Sequence, residues 1–118
     1  MSDVSLDHWL LADDEIIAEL REVMEEEFAD LIGSFLNDLP VQLDLIQEAI
    51  ARSDAADLYR ITHKVKSSCG SLGAMRLAEL FRRLEQAGRR NALDGAAELL
   101  TETRQVAQET VTQLAAML

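Results

Sequence analysis

The stretch LYRITHKVKSSCGSLGA, residues 58–74, reads as a helix that runs into a turn. Leu58, Ile61, Val65, Cys69 and Leu72 follow one another in steps of three or four residues, the spacing that lines one face of an α-helix. A helix that is apolar on one side has to bury that stripe against other elements. His63 stands two residues from both Ile61 and Val65, so at about 100° per residue its imidazole points about 200° away from the stripe, toward solvent. Tyr59, Arg60, Lys66, Ser67 and Gly70 share its face, putting cations beside the ring and small side chains one and two turns on. Ser71 to Gly73 form the turn.

The same period continues outward on both sides. Upstream, Ile16, Ile17, Leu20, Val23 and Met24 give one apolar stripe, and Phe28, Leu31, Ile32, Phe35, Leu36, Leu39, Leu43, Ile46 and Ile50 give a second, longer one. Pro40 falls inside the longer helix and lacks a backbone donor, so a kink or a brief break is expected near Asp38 to Pro40. Ser53 is placed to cap the His63 helix, with Asp54 and Asp57 favouring its N-terminus. Downstream, Leu77, Leu80, Phe81 and Leu84 mark a fourth helix that should stop at Gly88 in a left-handed cap. Asn91 then opens a fifth through NALD, similar to a capping box, with Leu93, Leu99, Leu100, Val106, Val111, Leu114 and Leu118 as its apolar positions. No stretch alternates as a strand does. Long helices with short connections are most simply buried as an all-α, antiparallel four-helix bundle, with an additional short N-terminal helix covering one end.

The 118 residues fit a single domain, 1–118, able to bury one core without metals or disulfides. Cys69 is the only cysteine, which excludes an intrachain disulfide; on the core stripe it reads as a small buried hydrophobe rather than a redox switch. No apolar run is long enough for a membrane span, and the acidic start does not resemble a signal peptide, so a cytoplasmic protein with no membrane association is expected. The net charge of −11 argues against nucleic acid as a partner. That charge is segregated: from Arg60 to Arg90 eight basic residues face two acids, a net of +6, against −17 for the remainder. The basic segment is the one that carries His63, which favours an anionic group or an acidic partner there.

A neutral imidazole is a nucleophile, and the ordinary histidine pKa of ~6.5 leaves the free side chain mostly neutral at pH 7. Flanking cations favour that form, and Lys66 is one turn away to meet negative charge brought to the ring. Lys64 and Arg60 read as general positive surface, and Ser67 and Gly70 allow close approach by a partner backbone. The site suits phosphoryl transfer. His8, among acids, reads as a surface residue.

HKVKSSCGSLGA resembles the signature of histidine-containing phosphotransfer (HPt) domains, H-x-L-K-G-S-S-x-x-x-G-A. The match falls on His63, Val65 in place of Leu, Lys66, Ser68, Gly73 and Ala74. LAELFRRLEQAGR, residues 77–89, is similar to the family's L-x-x-L-x-x-x-L-E pattern. The resemblance implies a helical bundle in which His63 accepts a phosphoryl group at Nε2 from a receiver-domain aspartate and passes it to another receiver. Lys66, with Lys64, would support the phosphate, Gly73 and Ala74 would form the turn motif, and the protein would have no kinase activity of its own. Partners would be receiver domains of hybrid histidine kinases and of response regulators. The chain would bind no metal or cofactor, Mg2+ arriving with the receiver, and a free-standing monomer of bacterial type is expected.

Ser67 stands where the family usually has Gly, and Cys69 where it usually has Ser. Glu85 occupies the position where the family often places Gln or Glu opposite the histidine; it either accepts from Nδ1 and fixes the tautomer, or pairs with Arg89 four residues on. A histidine-kinase dimerisation helix would need H-E-x-[RKN]-x-P, and HKVKSS supplies neither the acid nor the proline. A di-metal bundle would need Glu-x-x-His pairs, which neither histidine has. The remaining alternative is a non-catalytic helical interaction module with an incidental exposed histidine.

Overall fold

The computed structural model describes residue 6 and residues 9–118; His8 lies outside the described residues. Among the described residues five α-helices follow in order: α1 (Asp14–Met24), α2 (Phe28–Ala51), α3 (Ala55–Ser71), α4 (Met75–Arg89) and α5 (Ala96–Ala115), with a 3-10 turn, Glu25–Glu27, joining α1 to α2. Helix α3 packs on α4, α2 on α3 and α5, and α4 on α5, which closes an antiparallel four-helix bundle. Its centre is apolar: Ile32, Ile46, Leu58, Leu77, Leu80, Phe81, Leu84 and Leu114 are fully buried. Each such side chain contributes about 1.5–3 kcal/mol by leaving water. The α3 stripe of Leu58, Ile61, Val65, Cys69 and Leu72 is buried throughout, and Thr62 joins it because its hydroxyl donates to the Leu58 carbonyl at 2.7 Å. Among the described residues no helix is long and apolar enough to cross a membrane.

Helix α1 covers the end of the bundle where α3 turns into α4. Gly73 sits at φ 82°, a left-handed conformation that glycine adopts without strain, and its carbonyl accepts from Asp13 N–H at 2.8 Å. Arg76 donates its backbone N–H to the Leu10 carbonyl and its Nε to the Trp9 carbonyl, at 2.7 and 2.9 Å. Asp13 then caps α1, its carboxylate accepting from the N–H groups of Glu15 and Ile16.

Several local expectations are corrected. Helix α2 runs unbroken through Pro40, which lies on its exposed side, where a freed carbonyl can bond water. Asp54, rather than Ser53, caps α3 by accepting from Asp57 N–H at 3.0 Å; Ser53 is at φ 55° and carries the chain between the helices. Helix α4 ends one residue beyond Gly88, which is buried in its last turn and is not left-handed; Asn91, at φ 52°, takes the left-handed conformation after the helix end. Asn91 therefore does not open α5, which begins only after Gly95 at φ 85°. Val23 and Leu118 are 79% and 60% exposed, off the core.

Cys69 is wholly buried, and burial pushes its thiol up to about 12. The native protein is therefore expected to resist a thiol reagent at pH 8 and to react promptly in denaturant; rapid labelling of the native protein would contradict its burial. Glu79 is also buried, which its place between the apolar positions of α4 does not signal. Arg82 holds it in a fork of two 2.8 Å hydrogen bonds and Arg83 adds a third at 2.9 Å. The Arg82 bonds foremost, with Arg83, outweigh burial and hold the Glu79 carboxyl below the usual range. Its folded pKa being lowered, the cluster stabilises the fold above the ordinary carboxylate pKa and loses that contribution as pH falls through the folded value.

Candidate functional site

The site lies on the α3–α4 face. Position 63 projects its side chain away from the stripe buried by α3, and the imidazole is 55% exposed. Opposite it, Glu85 on α4 is buried, its side chain only 6% exposed. Glu85 Oε2 is 2.5 Å from His63 Nδ1, and its Oε1 accepts from Lys66 Nζ at 2.9 Å. Of the two partners left open by the sequence, then, Glu85 takes the histidine rather than Arg89, which is exposed.

Burial alone would raise the Glu85 pKa, but the hydrogen bonds from Lys66 and His63, with the charge beside them, more than offset it, and the carboxyl lies below its ordinary value. Glu85 is therefore ionised at neutral pH and can only accept. The proton in the contact must sit on Nδ1, and in a neutral ring that leaves the lone pair on Nε2. Among the described residues Nε2 has no hydrogen-bond partner.

The expected ring of cations is only partly present. Arg60 turns away to Asp57, with Nη2 to Oδ1 at 2.6 Å, and Lys66 reaches Glu85, so the charged group nearest the imidazole is an anion. Lys64 and Ser67 instead border a groove of about 560 Å3 between α1, α2 and α3, floored by Leu20, Leu31, Phe35 and Leu39. The sequence could not delineate this groove, since its walls come from three separate helices. Ser67 Oγ donates back to the His63 carbonyl at 3.2 Å and so stays close to its own helix. Gly70 lies one turn further along; a Cβ built there meets nothing within 4 Å, so packing within the chain does not require glycine at this position. Gly73 and Ala74 form the buried turn into α4, away from the imidazole.

Tyr59 shares the histidine face in the sequence, where nothing assigns it a role. Its ring stacks on the imidazole, with centroids 5.7 Å apart and planes 21° from parallel. An aromatic residue four positions before the histidine was the available signal. Among the described residues no group of three or more His, Cys, Asp or Glu side chains is arranged to hold a metal ion.

The model of the Hpt domain matches residues 30–118. Among curated proteins, the chain is 31% identical over 84 residues to the sensor histidine kinase AruS of Pseudomonas aeruginosa; the match covers 71% of this chain and 8% of the kinase. Among solved structures, it is similar to histidine-containing phosphotransfer protein B of P. aeruginosa, with a TM-score of 0.88 and 28% identity, over 91% of this chain and 93% of that one.

Proposed function

The chain belongs to the Hpt domain family, and from that premise we propose that His63 accepts a phosphoryl group from a receiver-domain aspartate and hands it to a second receiver. Its role is histidine phosphotransfer in two-component signalling. The observation that carries the finer reading is the exposed imidazole whose Nδ1 is committed to the ionised Glu85, leaving Nε2 as the outward nucleophile.

In the forward step the Nε2 lone pair attacks the phosphorus of the aspartyl phosphate, the P–N bond forms, and the P–O bond breaks to release the aspartate carboxylate. The proton stays on Nδ1, where Glu85 balances the positive charge that the ring acquires. Onward transfer is the same displacement in reverse. Mg2+, brought by the receiver, would neutralise phosphate oxygens; this chain contributes the presented nucleophile and the Lys66 ammonium, with Lys64 at the margin. The groove beside Lys64 and Ser67, with the exposed Val23 of α1, suits a small, transient receiver interface. A monomer acting between partners fits this role.

The direct test is incubation with a panel of phosphorylated receivers, with phosphate located by mass spectrometry under neutral conditions. Phosphate on His63 supports the reading, and no label from any receiver opposes it. Lys66→Ala is expected to slow single-turnover transfer about tenfold at saturating receiver, because it removes a cation from the developing charge, with little effect on docking; equal rates would strip Lys66 of this role. Gly70→Ala should have effects of opposite sign. Alanine in an unobstructed helical position stabilises by about 0.5–1 kcal/mol, while a methyl on the docking face should raise the half-saturating receiver concentration about tenfold, roughly 1.4 kcal/mol. Stabilisation without weaker docking would place the receiver elsewhere.

A further inference from the structure

We propose that Tyr59 is a positioning residue for His63, fixing the plane of the imidazole and so the direction in which Nε2 meets phosphorus; the inference rests on the phosphotransfer reading above. The imidazole is more than half exposed, and its one hydrogen bond, at Nδ1, fixes a single point on the ring. On a half-exposed ring one hydrogen bond opposes rotation only weakly, because water competes for it and the torsion joining an imidazole to its Cβ has a broad energy profile. The Tyr59 ring, stacked at 5.7 Å and 21°, supplies the missing constraint by lying along one face of the imidazole. With an edge held by Glu85 and a face held by Tyr59, the outward direction of the Nε2 lone pair is set before any receiver arrives.

Tyr59 is itself held firmly. Gly88 on α4 packs against its backbone so closely that a Cβ at residue 88 would stand 2.8 Å from Tyr59 N and 3.1 Å from its Cα. Gly88 is also three residues from Glu85, on the same side of α4. The face constraint and the edge constraint are thus both referred to one close crossing of α3 and α4. In-line attack depends on such pre-set geometry: a small misplacement of the reacting atom costs rate, while contacts elsewhere on the interface are untouched.

The test compares Tyr59→Phe, Tyr59→Leu and Tyr59→Ala with the parent protein, folding being checked by circular dichroism. Two readouts are taken. The first is nitrogen NMR of the His63 ring in the unphosphorylated protein, with no receiver present. The second is single-turnover transfer from a phosphorylated receiver, resolved into the rate at saturation and the half-saturating concentration. Phe should keep both within about twofold, since it retains the ring face. Leu and Ala should let the ring rotate off Glu85 for part of the time, so that the two tautomers average in the spectrum, and lower the saturating rate about tenfold, with the half-saturating concentration unchanged. Unchanged imidazole spectra in Leu and Ala, or a loss confined to half-saturation, would overturn the inference and make Tyr59 structural or a docking residue. If the parent protein accepts no phosphate, the phosphotransfer reading fails, while the spectra still decide whether Tyr59 holds the ring.

Discussion

A His63→Gln variant is expected to remain wholly unlabelled by a phosphorylated receiver that labels the parent protein, while its helical content and denaturation midpoint stay nearly the same. The side chain lies mostly in solvent and makes one hydrogen bond, so its removal withdraws almost no core packing. A glutamine amide can still donate to Glu85, which keeps that buried carboxylate satisfied alongside Lys66 and holds the stability change within about 1 kcal/mol. Chemically the loss is complete, because an amide nitrogen delocalises its lone pair into the carbonyl and cannot displace a carboxylate from phosphorus. Acid-labile phosphate on the variant would mean that another residue is the acceptor. A folded variant without phosphate would separate chemistry from scaffold, and would also exclude a purely passive interaction module if the parent takes up label.

The second large effect is expected at Gly88, and it falls on the fold first. A Cβ there would stand 2.8 Å from the Ala55 carbonyl oxygen and 2.8 Å from Tyr59 N, both backbone atoms that cannot rotate away. Alanine is intrinsically the better helix former by about 1 kcal/mol, whereas forcing atoms into a filled contact costs about 1–3 kcal/mol. Contacts shorter than real Cβ atoms tolerate put the cost near the upper end, so Gly88→Ala should lose about 2 kcal/mol. The midpoint of urea unfolding should fall with its slope unchanged. The same spreading of α3 from α4 should lengthen the Glu85–His63 contact and slow transfer. A midpoint equal to or above that of the parent protein would show that the helices part without cost. Gly70→Ala is the control of opposite sign, because there the added methyl meets open space.

Gly88 and Gly70 look alike in the sequence, each a glycine near the end of a helix. The local pattern makes Gly88 a left-handed cap, whereas in the structure it lies in the last turn of α4, where a Cβ would have no room against the backbone of α3. Asn91 shows the converse: read as the start of α5, it sits in the left-handed conformation just beyond the end of α4. Both errors have one origin. Capping signals are short, and the residues that satisfy them in sequence are also those that allow helices to touch or chains to turn.

The amino-acid pattern alone carries the helical character of the chain, most of the buried face of each helix and the outward direction of His63, because a periodicity of three to four residues is a local property that every turn of helix repeats. The signature around His63 and the L-x-x-L-x-x-x-L-E stretch were legible for the same reason. The packing of the helices is what pairs Glu85 with His63 Nδ1 instead of with Arg89, sends Lys66 to Glu85 and Arg60 to Asp57, stacks Tyr59 beside the imidazole and sets Gly88 against the α3 backbone. The contacts across the helices join residues far apart in the chain, and their lengths follow from how closely α3 and α4 pack; the choices of Arg60 and Tyr59 between neighbours on one helix follow from what each side chain finds once that packing is fixed.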